Sequence, residues 1–253
     1  MRVLFTLTSS ESKRLIAKGV KALPVVKKAM QENTIIIAGG TTNAYVAEEL
    51  LGVDIPDKTG YTVGIIMDGV VTRSASPNRV NPYIISKGVP LPTDVHWKEC
   101  LPKMVPGDVF IKGGNALDHS GLAAVMVSDL AGGTIGAAQG ILYARGIRLI
   151  VPIGLEKLVP SVRDAVEFMA GSPLDQSTGE KVGLIPMLGA TVITELTALE
   201  TMFNVKARCV TSGGVSGSEG SVTIVIEGID EEVQRAMETI NEVKGEAPIK
   251  INY

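Results

Sequence analysis

Cysteine and histidine are scarce in this chain, with two of each in 253 residues. Cys100 and Cys209 stand alone, without a Cys-x-x-Cys pair, so neither a disulfide framework nor a structural zinc site is expected and both thiols read as reduced. An excess of charge of one sign is missing as well. Lys and Arg number 24 against 27 Asp and Glu, a net charge of −3, and no polybasic tail is present. Nucleic acid and acidic lipid are therefore not expected partners. Long uninterrupted hydrophobic runs are absent: the longest apolar stretch, 141–155, carries Arg145, Arg148 and Pro152, which argues against a membrane span. The first residues turn polar too soon for a secretory leader, so the cytoplasm is the expected compartment. No motif calls for a cofactor or a metal.

What the chain does have is apolar content and glycine. Hydrophobic residues make up 45%, enough for the core of one large domain, and there are 28 glycines. Strand and helix signals alternate. Residues 9–33 read as two helices, the second opened by Pro24. The β-branched run 34–38 reads as a strand covered on both faces, followed by a helix over 43–51. Residues 62–72 read as a hairpin around Asp68-Gly69. Residues 73–95 form a loop excursion with one short strand at 83–86, and Arg73 and Arg79 lie in it as cations able to close on an anion. Further strands are expected at 108–112, 122–127, 147–152, 181–185 and 190–194. Helices are expected at 97–104, from 132 to 144, at 161–170 and at 195–203. The last fifty residues read as two strands and an amphipathic helix capped by Asp230.

Two Ala-Gly-Gly-Thr turns, at 38–41 and 131–134, each follow or approach an apolar strand and open a helix. A third glycine pair, Gly113-Gly114, follows the strand ending at Lys112. Strand-to-helix turns in a parallel sheet fall at its carboxyl edge, where open α/β sheets bind ligands. Helix-opening N–H groups have no internal partner and carry the positive end of the helix dipole. Gly39, Gly40, Thr41 and Thr42 are thus candidates for holding a phosphate or carboxylate, with Lys112, Gly113, Gly114, Gly132, Gly133 and Thr134 on the surrounding walls. The plain alternative is a tight turn with a threonine cap. The pattern is neither a Walker loop nor a dinucleotide fingerprint. Asp118-His119-Ser120 does not read as a triad, because triads are assembled from separate elements.

Residues 35–51 (IIIAGGTTNAYVAEELL) and 108–118 (DVFIKGGNALD) resemble successive motifs of a broad superfamily. It contains ribose-5-phosphate isomerase, glucosamine-6-phosphate deaminase and the coenzyme A transferases. Residues 144–153 are similar to its later helix-to-strand step, so the resemblance covers about 11–154. It implies an anion-holding loop at Gly39–Thr42 and acid–base chemistry at the second motif. There Asn115 stands where the first carboxylate is expected and Ala116 replaces the glutamate. Only Asp118 remains acidic, and no lysine occurs in 131–136. An amide cannot abstract a proton, so aldose–ketose isomerisation does not follow from the match. Asn115 and Asp118 remain the candidate catalytic positions.

These readings give an α/β fold with a largely parallel sheet and helices on both faces. An α/β ligand-binding domain is expected over 1–203 and a small α+β subdomain over 204–253. The expected function is binding of a small phosphorylated or carboxylated metabolite, either by a sugar-phosphate or acyl-CoA enzyme without the usual isomerase base or by a non-catalytic binding or assembly protein. A homo-oligomer is the expected state.

Overall fold

The computed structural model describes residues 1–74 and 79–250. Strand β1 (Arg2–Leu7) runs into α1 (Ser9–Ala22) and α2 (Pro24–Glu32). Thr8 closes a capping box on α1: its hydroxyl accepts from Glu11 N, and the Glu11 carboxylate accepts from Thr8 N. Pro24 stands at the start of α2, where its missing N–H has no helical partner to lose. Next come β2 (Thr34–Ile37), α3 (Thr41–Leu51), the hairpin β3 (Gly64–Met67) and β4 (Val70–Arg73), then β5 (Tyr83–Ser86), β6 (Val89–Pro90) and the single turn α4 (Trp97–Cys100). The expected excursion at 73–95 thus contributes two strands, and its residues 75–78 lie outside the described residues. The chain continues through β7 (Val109–Ile111), β8 (Ala116–Leu117), β9 (Ala123–Val127), α5 (Gly133–Arg145) and β10 (Arg148–Pro152). It ends with α6 (Val162–Met169), β11 (Gly183–Pro186), β12 (Thr191–Ile193), α7 (Glu195–Met202), β13 (Val205–Ser212), β14 (Val222–Gly228) and α8 (Asp230–Val243).

The fold is mixed α/β around a six-stranded sheet ordered β12-β10-β7-β2-β5-β6. β12, β10, β7 and β2 are mutually parallel, while β5 and β6 extend the sheet antiparallel. Register is set by apolar pairs such as Ile35↔Val109 and Leu149↔Phe110. Alternate residues separate into two clusters, as strand periodicity requires. Ile35, Ile37, Val109, Ile111 and Ile150 pack with α1, α2 and α3. Ile36, Phe110, Leu149 and Val151 pack with α5 and Trp97. The isoleucines of β2 are fully buried, each contributing about 1.5–3 kcal/mol over an exposed position. The strands expected at 122–127 and 181–185 do not join this sheet. β9 and β11 pair antiparallel, with β8 beside β9, in a separate small sheet.

The segment after residue 203 recruits a strand from the other end of the chain. β1 pairs antiparallel with β14, from Arg2↔Glu227 to Leu7↔Val222, and the sheet order is β1-β14-β13. Phe5 and Leu7 share a core with Val222, Ile224 and Ile226 of β14, with Val233, Ala236, Ile240 and Val243 of α8, and with Leu15 and Leu199. Ile229, not Asp230, is the cap residue of α8, and Asp230, Glu231 and Glu232 fill its first turn. Arg14 fixes α1 to its neighbours, bonding Glu48 at 2.6 Å and Glu246 at 2.8 Å, with its guanidinium 4.7 Å from the centre of the Tyr45 ring. Among the described residues no helix is long and apolar enough to cross a membrane.

Candidate functional site

The connections that leave the carboxyl ends of β2, β7 and β10 gather at one edge of the main sheet. From β2 the chain enters α3, in one packing cluster, and it returns to β10 from α5, in the other. That divergence between β2 and β10, the parallel strands on either side of β7, opens a crevice. A cavity of about 800 Å³ occupies it. Gly39, Gly40, Thr41 and Thr42, then Lys112, Gly113, Gly114 and Asn115, and then Gly133 and Thr134 all line this one space. Gly132 is not in the lining. A second depression, lined by Met1, Arg2, Lys206 and Glu227 among others, lies away from every glycine turn.

The first wall is held by short backbone contacts. Gly40 N donates to Tyr61 O at 2.8 Å. A Cβ on Gly39 would lie 2.9 Å from that same carbonyl oxygen, so the turn has room only for hydrogen there. Tyr61 is buried; its hydroxyl donates to Ile37 O at 2.5 Å and accepts from Tyr83 N at 3.1 Å. Burial pushes that hydroxyl well above the ordinary tyrosine range. Asn43, fully buried, donates Nδ2 to Ala38 O at 2.6 Å and to Ile111 O at 3.4 Å, latching the ends of β2 and β7 together. No side chain caps α3 and no acidic residue lies in its first turn. The start of α5 differs. Gly132 takes a left-handed conformation, φ 78°, that a side chain would strain. Asp129 already accepts from Ala131 N at 2.8 Å and Gly133 N at 3.2 Å, and those bonds lower its pKa. The two Ala-Gly-Gly-Thr turns are therefore electrostatically unequal: one opens an uncompensated helix start, and the other carries its own carboxylate.

Four lysines line the cavity: Lys13 of α1, Lys98 of α4, Lys112 after β7 and Lys157 after β10. Lys13 has an anionic partner, Glu156, at 2.8 Å, and also donates to the Ser9 hydroxyl. Among the described residues Lys112 and Lys157 have none within ion-pair distance. Among the described residues their only hydrogen bonds go to backbone oxygens, Lys112 to Gly113 O at 3.3 Å and Lys157 to Gly114 O at 2.9 Å. Desolvation and the Lys157 charge pull Lys112 down to about 8, and desolvation with the Lys13 charge does the same to Lys157, to about 8. Glu156 and Glu195 oppose that shift at Lys157. Burial would raise the Glu156 carboxyl, but Lys13 brings it below the usual value. Glu195 is fully buried beneath this corner; desolvation raises its pKa, although Leu155 N donates to it at 3.0 Å. At the mouth, Arg79 donates to Ser74 O at 2.6 Å and Arg73 pairs with Glu180 at 3.2 Å.

The two candidate catalytic positions part company. Asn115 lines the cavity, and its Oδ1 accepts from Met126 N at 3.1 Å. Asp118 does not line it. Its carboxylate accepts from the Ser120 hydroxyl at 2.6 Å, Ser120 N at 2.9 Å, Leu122 N at 3.3 Å and Val162 N at 2.8 Å, and the Ser120 bond leads in lowering its pKa. The residue ties the β8–β9 turn to the start of α6. Sequence reasoning missed Lys157, Glu156 and Lys13. Lys157 was reachable, because it follows the third parallel strand as Lys112 follows the second, but no glycine pair marks the turn. Lys13 gives no signal, since a lysine on a polar-looking helix reads as surface. Among the described residues no three His, Cys, Asp or Glu side chains gather where they could hold a metal ion. No family model, curated protein or solved structure matches the chain.

Proposed function

We propose that the cavity binds a small anionic metabolite, phosphorylated or carboxylated. The observation that carries this reading is the pair Lys112 and Lys157: two desolvated amines, without a carboxylate partner among the described residues, in the same cavity. A desolvated cation is costly unless something pairs with it. A ligand anion supplies the missing partner and draws protons onto both nitrogens. The uncapped start of α3, with Thr41 beside it, adds N–H donors on the facing wall. The ligand's size is bounded by the cavity, about 800 Å³, within the range of ordinary small-molecule sites.

Within this reading the sugar-phosphate and coenzyme A superfamily remains the proposed relationship, and an enzyme without that superfamily's base the preferred form. The place of the first carboxylate is taken by the amide of Asn115, and the remaining acid, Asp118, is committed to backbone N–H groups. Those two facts equally favour a second reading, a non-catalytic metabolite-binding protein. Isothermal titration with inorganic phosphate, sugar phosphates, nucleotides and acyl-CoAs tests the site itself. Heat from at least one anion, lost in Lys157→Met, is expected; no binding by any of them overturns the proposal. Self-assembly is tested by light scattering on the full chain. Cutting near Phe203 would strip β1 of its partner strand and open a core instead of probing an interface.

A further inference from the structure

Lys112 and Lys157 are placed alike but not electrostatically alike, and the difference assigns them separate roles. Their nitrogens bond the oxygens of consecutive residues, Gly113 and Gly114, which brings both to one corner of the cavity. Lys157 sits in the field of two carboxylates, Glu156 and Glu195, which favour its protonated form, and of Lys13, which disfavours it. Among the described residues Lys112 has no carboxylate partner, and Lys157 itself disfavours it as a cation. With Lys13 already paired to Glu156 at 2.8 Å, the carboxylates beside Lys157 make it the amine to which we assign the proton when only one is shared. Lys112 is then a neutral amine facing a cavity, with a cation beside it, the arrangement that makes a lysine nucleophilic.

We propose that this cavity takes a small carbonyl compound carrying a carboxylate or phosphate, and that the Lys112 amine adds to its carbonyl carbon to form an imine, with Lys157 as the cation that receives the anionic group. The inference rests on the anion-binding reading above. The nitrogen lone pair forms the C–N bond as the carbonyl π pair moves to oxygen. The nitrogen loses two protons in all as the N=C bond forms, the oxygen gains two, and it leaves as water; no electrons are exchanged with another reagent. Asn115, lining the same cavity through the loop after Lys112, offers an amide beside the reacting end without competing as a base. The imine would make the carbon next to the former carbonyl acidic, so no carboxylate at the superfamily position is needed to lower that barrier.

The test is borohydride trapping on the full chain. Pyruvate and dihydroxyacetone phosphate serve as carbonyl anions, with lactate and glycerol 3-phosphate as matched anions without the carbonyl. The expected result is a single reduced adduct that peptide mapping locates at Lys112, given only by the carbonyl compounds and absent from Lys112→Arg. Lys157→Met is expected to move the pH profile of trapping upward. Below the pKa of Lys112, each unit by which it rises leaves roughly tenfold less neutral amine. The map of the unsubstituted protein decides even if Lys112→Arg does not fold. No adduct, or adducts spread over surface lysines, overturns the imine. Calorimetric binding of lactate or glycerol 3-phosphate without trapping overturns the imine while upholding the anion site; neither binding nor trapping overturns both.

Discussion

Lys157 donates its Nζ to Gly114 O at 2.9 Å across 43 positions of sequence, tying the turn after β10 to the turn after β7. The bond satisfies one proton of an ammonium and none of its charge. The group is thus fixed in place and left electrostatically unfinished, which is the state expected of a side chain waiting for an anion.

Replacing it should therefore separate binding from stability. Lys157→Met removes a desolvated charge and keeps most of the packing volume, so the variant is expected to gain about 1–2 kcal/mol at neutral pH, part of the charge cost being screened by solvent in the cavity. The same variant should lose measurable phosphate binding. Urea unfolding paired with calorimetry checks both; a variant less stable than the parent would show that the Gly114 bond outweighs the charge.

The two lowered lysines also fix the sign of a pH dependence. Between about 8 and the ordinary lysine value of 10.5, the unfolded chain holds protons that the folded chain has released. Unfolding free energy contributed by these groups therefore rises with pH across that window. Anion binding moves the other way and weakens as pH climbs through about 8, because the ligand needs the protonated amines. Denaturation at pH 7.5, 9 and 10.5, roughly bracketing the window, should show this slope and show it reduced in Lys112→Met.

Asp118 should prove structural. Asp118→Ala leaves Val162 N and Leu122 N without their acceptor, at a cost of about 1–3 kcal/mol, with phosphate affinity unchanged. Its pKa is lowered, so its contribution is complete above the unfolded-state value and is lost as pH falls through the folded one. A large loss of ligand affinity without a loss of stability would return Asp118 to the site.

Gly39→Ala is the sharpest probe of the first wall. The new methyl would stand 2.9 Å from Tyr61 O, a backbone atom that cannot swing aside. About 1–3 kcal/mol of destabilisation is expected, together with weaker anion binding, since the turn and the start of α3 must shift as one. Alanine at Gly140, where a Cβ would meet nothing within 4 Å, is the matched control.

Much of the architecture is legible because local signals were strong. The β-branched run of β2 and the turn Asp68-Gly69 specify their conformations within a few residues, and the three glycine edges do meet at one cavity. What was not legible depends on distant partners. β1 alternates buried and exposed residues only because β14 lies beside it, and nothing in its own six residues names that partner. The carboxylate of Asp118 looked free as text, but four donors converge on it from Ser120, Leu122 and Val162. Lys13 reads as a solvated helix residue, and it is buried because α1 leans over the sheet edge where Glu156 meets it.

The pairing of β1 with β14 has a kinetic side. Thr6 and Thr223 touch through their hydroxyls at 2.8 Å although 217 positions separate them. During synthesis β1 must stay unpaired until β14 emerges, while the intervening sheet can already assemble. Loop closure over that span is slow, and an apolar strand left waiting is exposed to other chains meanwhile. Leu4 on its outer side and Phe5 and Leu7 on its inner side are the residues through which a delayed chain would stick.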